Sequence, residues 1–458
     1  MSQTQVSRGY LELEEVLRRI EAEPLEACRA RERRAFDEIA GDAKERLVLF
    51  GAGALGKGVL GGLRKVGIEP LAFADNRLGA DRRAVGREEA SPERRAGTDR
   101  RKPQKSKYPM RGFESGVKDA DTALPQGPRG NTGSQHAEVM GIPVLSAAEA
   151  VERYGKNACF VVTIYQGAAV RKQLAELGCE RVAHFAPLFW KYAEVFIPQG
   201  GIDLPHRLRG KFEAIRTCYA GLRDEASRRE LREQLRWRWG LDFSELSKAS
   251  EARDTYFPFD LLAPREEDVF VDCGGFDGDT VLSFSQHWGG KFRHAFTFEP
   301  DPANRAKLAA NVEKAGIASR VTVMPYAVGN INGPVSFTLT SSAASHIASR
   351  GNLVVPPKES GPAIECRRLD DVEWPVAPTY IKMDIESAEP EALAGAAKLF
   401  RREHPVLAVC TYHRSEHLWQ IPNLIRSIAP EYNLFLRRYA EECWEGVCYA
   451  IPEDRLQK

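Results

Sequence analysis

Twice in this chain a short apolar run breaks at glycines and passes straight into a helical pattern, and no other feature constrains the fold as much. The first is LVLF from Leu47, followed by GAGALGKGVLGGL; the second is VFVDC from Val269, followed by GGFDGDTVLSF. Apolar runs this short, bounded by glycine, suit strands buried on both faces. Each half then alternates strand and helix. In the first half, LAFADN from Leu71, GIPVLSAAEAVERYG from Gly141 and CFVVTIYQG from Cys159 continue the pattern. In the second, AFTFEPDP from Ala295, VTVMPYAVGN from Val321 and YIKMDIESAEP from Tyr380 do so. Such alternation predicts an α/β chain built on largely parallel sheets. We expect an N-terminal helical segment over residues 1–45, an α/β domain over 46–200, a helical connector over 201–264 and a second α/β domain over 265–458.

Between about residues 80 and 140 the pattern collapses into Arg-, Lys-, Pro-, Gly- and Ser-rich sequence, which reads as a disordered insertion with a solvated basic cluster between Arg94 and Lys107. The whole chain of 458 residues carries a formal charge of only +1, so no overall field draws it to nucleic acid or acidic lipid. No stretch approaches a membrane span, and the N-terminus lacks the apolar core of a signal peptide. Nine cysteines, an odd number without a CxxC pair, argue against a disulfide framework and for a reducing, cytoplasmic setting. The aromatic run around Tyr256, Phe257 and Phe259 is expected to pack the domain junction or to form a substrate wall.

In the C-terminal half the glycine turn reads D-x-G-x-x-x-G, with Asp272, Gly274 and Gly278 and with Gly275 between them. Its departure from G-x-G-x-x-G favours a methionine-bearing nucleoside over a pyrophosphate. Glu299, at the carboxyl end of the next strand, can accept hydrogen bonds from both hydroxyls of a ribose. Tyr326 and Ala327 reach the same rim, beside an adenine. The run YIKMDIE then carries Lys382, Asp384 and Glu386 at alternate positions, and charges in a buried strand call for a role. Asp384 is the first candidate for a base, Glu386 a second acid, and His413, just beyond VLAVCTY, the alternative. Two carboxylates and a histidine also suit a divalent metal, although the metal-free arrangement is preferred.

These segments resemble the FkbM-type methyltransferases. VFVDCGGFDGDT, FTFEPDPAN, MPYAVGNINGPVSF, RRLDD and IKMDIESAEPEALAGA stand in that family's order over roughly residues 254–452. The resemblance implies a seven-stranded class I fold that binds S-adenosylmethionine and transfers its methyl to an oxygen of a sugar, a glycan or a natural product. One position departs: where the family shows Asp-x-Glu-Gly-Ala-Glu, this chain has Ser387, which adds strain if a positive φ is needed there.

In the N-terminal half, Gly51, Gly53 and Gly56 make a true G-x-G-x-x-G between strand and helix, and Asp75 ends the next strand. That context supports a Rossmann-like nucleotide site. The stretch from LVLFGAGALG to GIPVLSAAEA also resembles the N-terminal domain of sugar acyltransferases of the left-handed-helix type, which implies a nucleotide-sugar. The competing reading of the whole chain is a non-catalytic nucleotide-binding or scaffold protein with two Rossmann-like halves.

Overall fold

The computed structural model describes residues 3–78, 137–243, 246–338, 346–347 and 363–457. The insertion and basic cluster expected between 80 and 140 fall almost wholly outside them. The first half contributes strands β1 (Leu47–Phe50), β2 (Ala72–Ala74), β3 (Glu138–Val139), β4 (Ile142–Leu145), β5 (Cys159–Val162) and β6 (Val182–His184). They form one sheet in the order β3-β4-β2-β1-β5-β6, parallel except for the β3–β4 pair. The apolar LVLF and CFVV runs are its central neighbours and are buried throughout, as strands covered on both faces must be.

The second half supplies β7 (Val269–Cys273), β8 (His294–Phe298), β9 (Val321–Met324), β10 (Ala327–Val328), β11 (Gly333–Thr338), β12 (His346–Ile347), β13 (Ala363–Arg367), β14 (Tyr380–Met383), β15 (Val406–Cys410), β16 (Asn433–Arg438) and β17 (Gly446–Ile451). Seven of these make a sheet in the order β16-β17-β15-β14-β7-β8-β9, parallel apart from β17, which runs against both neighbours. The reversal of strand order between β7 and β14 opens a crevice at their carboxyl ends, where ligands bind in open α/β sheets. The run from Val321 was expected as one strand. It divides instead at Pro325, with β9 in the large sheet and β10 in a separate sheet ordered β10-β13-β11-β12.

The expected N-terminal helical segment is two helices, Gln3–Ala22 and Leu25–Ala40, because Pro24 removes a backbone donor between them. The two part company. Leu13, Val16, Leu17 and Ile20 pack into the core of the second half, whereas Phe36 and Ala40 belong to the first. The 201–264 stretch is likewise no mere connector. Its helix Glu225–Gly240, capped by Asp224, buries Leu231 and Leu235 in the C-terminal core and Trp237 in the N-terminal one. Between Gly240 and residue 264 only the short 3-10 turn Ala252–Asp254 is helical among the described residues.

Candidate active site

Asp272 and Lys382 sit directly opposite one another in the β7–β14 register, and Lys382 Nζ lies 3.0 Å from Asp272 Oδ1. Both are fully buried, so each charge is tolerable only beside the other. Burial opposes the ammonium, but Asp272 and Asp384 hold Lys382 charged, above its ordinary range. The ammonium also donates to Gly274 O at 2.8 Å, which ties the strand pair to the glycine turn. Asp272 therefore lies beneath the turn and supports it, while Gly274 lines the cavity above. A Cβ on Gly274, whose φ is +88°, would stand 2.0 Å from Asp384 O. Gly275 and Gly278 do not line the cavity; a Cβ on Gly275 would strike Thr297, and Gly278, with φ +87°, packs on Leu308.

Glu299 closes β8 at the cavity wall. Its two oxygens accept the N–H groups of Phe276 and Asp301, each at 2.8 Å, and burial pushes its carboxyl up to about 7. In the helix that follows, Asp301 is the cap and Pro302 the first helical residue. Tyr326 and Ala327 line the same cavity. Gly274, Glu299, Tyr326 and Ala327 thus line one cavity. Each oxygen of Glu299 keeps accepting capacity there in a buried setting.

Strand β14 stops at Met383, so Asp384 and Glu386 lie in the turn beyond it rather than on its edge. Glu386 and Ser387 both take positive φ, +54° and +86°. Asp384 accepts from two hydroxyls, Tyr256 at 2.8 Å and Tyr412 at 3.3 Å, and stands 3.1 Å from His413 Nε2 as an ion pair. Burial alone would raise its carboxyl, but His413, the Lys382 charge and the Tyr256 hydroxyl hold it well below the carboxylate range. The other face of His413 meets Glu389, Nδ1 to Oε1 at 2.8 Å. Burial disfavours the imidazolium, yet Glu389, Glu386 and Asp384 together keep His413 protonated. Beyond Glu389, His417 is pushed down to about 4 by burial. Glu386, a third exposed and 3.9 Å from His413, is pushed up to about 7 by burial, as is Glu445 opposite. Asp384, Glu389 and His413 each offer one ligand atom within 4.8 Å of the others, so they are the set that could hold a divalent cation. This set has Glu389 where the sequence reading had Glu386.

Tyr256, Glu389, Tyr412 and Glu445 complete the cluster, and sequence reasoning gave none of them this part. Tyr256 was weighed only as packing or a wall. Its left-handed backbone, φ +70°, turns the ring from the buried Phe257 toward Asp384. Glu389 was within reach, being the last acid of the Asp-x-Glu-x-Ala-Glu run. Glu445 carried no local signal, since only the pairing of β17 with β15 brings it near.

A parallel sheet with this strand order, a glycine turn after β7, an acid at the end of β8 and an acid cluster after β14 together define a methyltransferase fold. The comparisons narrow the class. Residues 272–443 match the family model described as the methyltransferase FkbM domain, and that stretch is an FkbM methyltransferase domain. The chain shares its fold with the crystal structure of methyltransferase FkbM from Methylobacillus flagellatus KT, with a TM-score of 0.62 and 21% identity, over 96% of this chain and 100% of that one. Looser likenesses include an rRNA methylase from Streptococcus thermophilus, with TM-score 0.27 and 10% identity over 45% of this chain and 92% of that one. Another is a methyltransferase from Streptococcus mutans in complex with SAH, with TM-score 0.27 and 11% identity over 43% of this chain and 94% of that one. No curated protein matches.

Proposed function

We propose that the protein is an S-adenosylmethionine-dependent O-methyltransferase acting on a hydroxyl of a sugar, a glycan or a natural product. The observation that carries this reading is that one cavity is lined both by Gly274, Glu299, Tyr326 and Ala327 and by Asp384, Glu386 and His413. When bound, S-adenosylmethionine supplies a methyl group on a cationic sulfur that leaves as a neutral thioether. Glu299 would accept the ribose hydroxyls, and Glu386 would accept the hydrogen bond of the acceptor hydroxyl, while Asp384, held ionised beside it, fixes the Tyr256 and Tyr412 hydroxyls at the site. On methyl transfer to the acceptor oxygen, the hydroxyl proton would pass along that bond to Glu386. A base works best with a pKa near the operating pH, and about 7 meets that condition better than the depressed Asp384 does. His413 stays an imidazolium that fixes Asp384 between Tyr256 and Tyr412. With both ring nitrogens engaged by carboxylates, the metal-free arrangement is preferred. The nine free, buried thiols fit a cytoplasmic setting.

The test is incubation with labelled S-adenosylmethionine and a panel of glycans and sugar nucleotides, with the methyl located by mass spectrometry. Glu386→Gln and Asp384→Asn should each lower turnover by roughly 10²–10⁴-fold. Affinity for S-adenosylhomocysteine should stay near wild type in both. Retained turnover in both variants would sink the assignment, and loss of activity with a chelator would move the mechanism to the cation set.

A further inference from the structure

The cavity that holds the acid cluster, of about 1690 Å3, runs on to the N-terminal glycine turn, where Gly51 and Gly53 line it. Gly56 lies behind them, since a Cβ there would fall 1.9 Å from Gly51 O. Asp75, expected to accept ribose hydroxyls at that end, is already filled. Each of its oxygens accepts two N–H groups, all from Ala52 and Arg77.

Glu445 is placed differently. It is half-buried and lines the same cavity as Asp384 and Glu386, yet methyl transfer as assigned gives it no part. It stands past residue 443, where the match to the family model ends, so the family's motifs assign it nothing either. Its backbone is held firmly: the Glu445 carbonyl accepts Tyr439 N–H at 3.2 Å, and Gly446 then pairs with Arg438 as β17 begins. The Tyr412 hydroxyl connects the side chain to the acid cluster. That hydroxyl donates to Asp384 Oδ1 at 3.3 Å and is also hydrogen-bonded to Glu445. A hydroxyl has one proton to give. While it goes to the ionised Asp384, Glu445 meets the phenol oxygen as an acid that donates. Burial, with Asp384 and Glu386 nearby, pushes the Glu445 carboxyl up to about 7, so the acid form is at hand.

In that form one oxygen of Glu445 serves Tyr412 and the other remains an acceptor at the cavity wall. A neutral acceptor suits a neutral donor, because no separate charge has to be buried with it. A ligand without such a donor would displace water there and leave the oxygen unpaired, which is costly. Resting on the methyl-transfer reading, we propose that Glu445 is a specificity-determining residue for a polyol acceptor: one hydroxyl meets Glu386 and is methylated, and a second hydroxyl of the same molecule is held by Glu445.

The test gives the full chain labelled S-adenosylmethionine with methyl rhamnoside, methyl fucoside and methyl mannoside, the monodeoxy analogues of each, and geraniol as a monohydric alcohol. Affinity for S-adenosylhomocysteine is measured in parallel by calorimetry. In the wild type, loss of one further hydroxyl from a methylated glycoside should lower kcat/KM roughly tenfold or more, mainly through KM. Glu445→Gly removes the side chain at a residue whose φ of +53° glycine adopts freely, so the fold is kept. It should shrink that discrimination to about twofold or less, by weakening the parent glycoside. Glu445→Gln, whose amide donates to Tyr412 and keeps an accepting oxygen, should retain it. Affinity for S-adenosylhomocysteine should stay at the wild-type value in both variants. The proposal is overturned if both variants slow the parent and its deoxy analogues by the same factor, as a purely structural Glu445 would. It is also overturned if geraniol is methylated as well as the glycosides, or if a chain that binds S-adenosylhomocysteine methylates none of the glycosides. Absence of both S-adenosylhomocysteine binding and methylation of every acceptor overturns the methyl-transfer reading instead.

Discussion

Glu299 and Lys382 show how burial sets the properties of single residues here. A carboxyl lifted to about 7 by burial is largely protonated below that pH, while ribose hydroxyls donate to its ionised form. Cofactor binding should therefore lower the Glu299 pKa and release a proton. The sign follows: affinity for S-adenosylhomocysteine should rise as pH approaches 7 and level off above it. Calorimetry in two buffers of different ionisation enthalpy should show release approaching one proton at pH about 6 and close to none at pH about 8.5. Lys382 presents the opposite case, a buried charge whose partner cannot do without it. Lys382→Met leaves Asp272 unpaired in the centre of the sheet and should cost about 3–5 kcal/mol in urea unfolding. A loss below about 1 kcal/mol would mean that Asp272 simply takes up a proton in the variant.

At the scale of elements, the turn after β14 concentrates strain. Two consecutive residues, Glu386 and Ser387, adopt left-handed backbone, a conformation that carries a penalty of about 1–2 kcal/mol for a residue with a Cβ. Ser387→Gly should thus raise stability by about 1 kcal/mol, read from the denaturation midpoint; an unchanged or lower midpoint would show that the serine side chain offsets its strain. This is also where the legibility of the sequence can be judged. Ser387 stood out against its family's pattern, and the φ of +86° gives that departure physical content. Gly274, Glu299 and Asp384 were readable because each belongs to a strand end whose spacing is local. Glu445 and Tyr256 were not, because they reach the site through long-range pairing and a left-handed residue in a segment without regular structure. The split of the N-terminal helices at Pro24 was visible in the residue type, but their separate destinations depend on tertiary packing alone.

For the whole molecule, the loop from Tyr439 to Glu445 links the first half to the cavity. Glu442 bonds Arg171 and stands 3.2 Å from His184 Nε2, both in the first half, while the nearby Trp444 and Glu445 line the cavity. Glu442, Cys443 and Glu445 all take positive φ, so the loop keeps its shape only while it is gripped. Glu442→Gln should cost about 2–4 kcal/mol by denaturation, since Arg171 and His184 lose their carboxylate in a buried setting. It should also raise the KM for acceptor more than it changes affinity for S-adenosylhomocysteine. Equal effects on both would assign the grip to stability alone.

The packing of the first helix has a consequence for how the chain is made. Leu13, Val16, Leu17 and Ile20 find their apolar partners on helix Glu225–Gly240, which itself lies on β16, the next-to-last strand. A ribosome delivers those four residues well before their partner helix, and that helix well before β16. Until both have followed, the nascent chain trails an unmatched apolar stripe, and a chaperone that shields it should increase the yield of active protein.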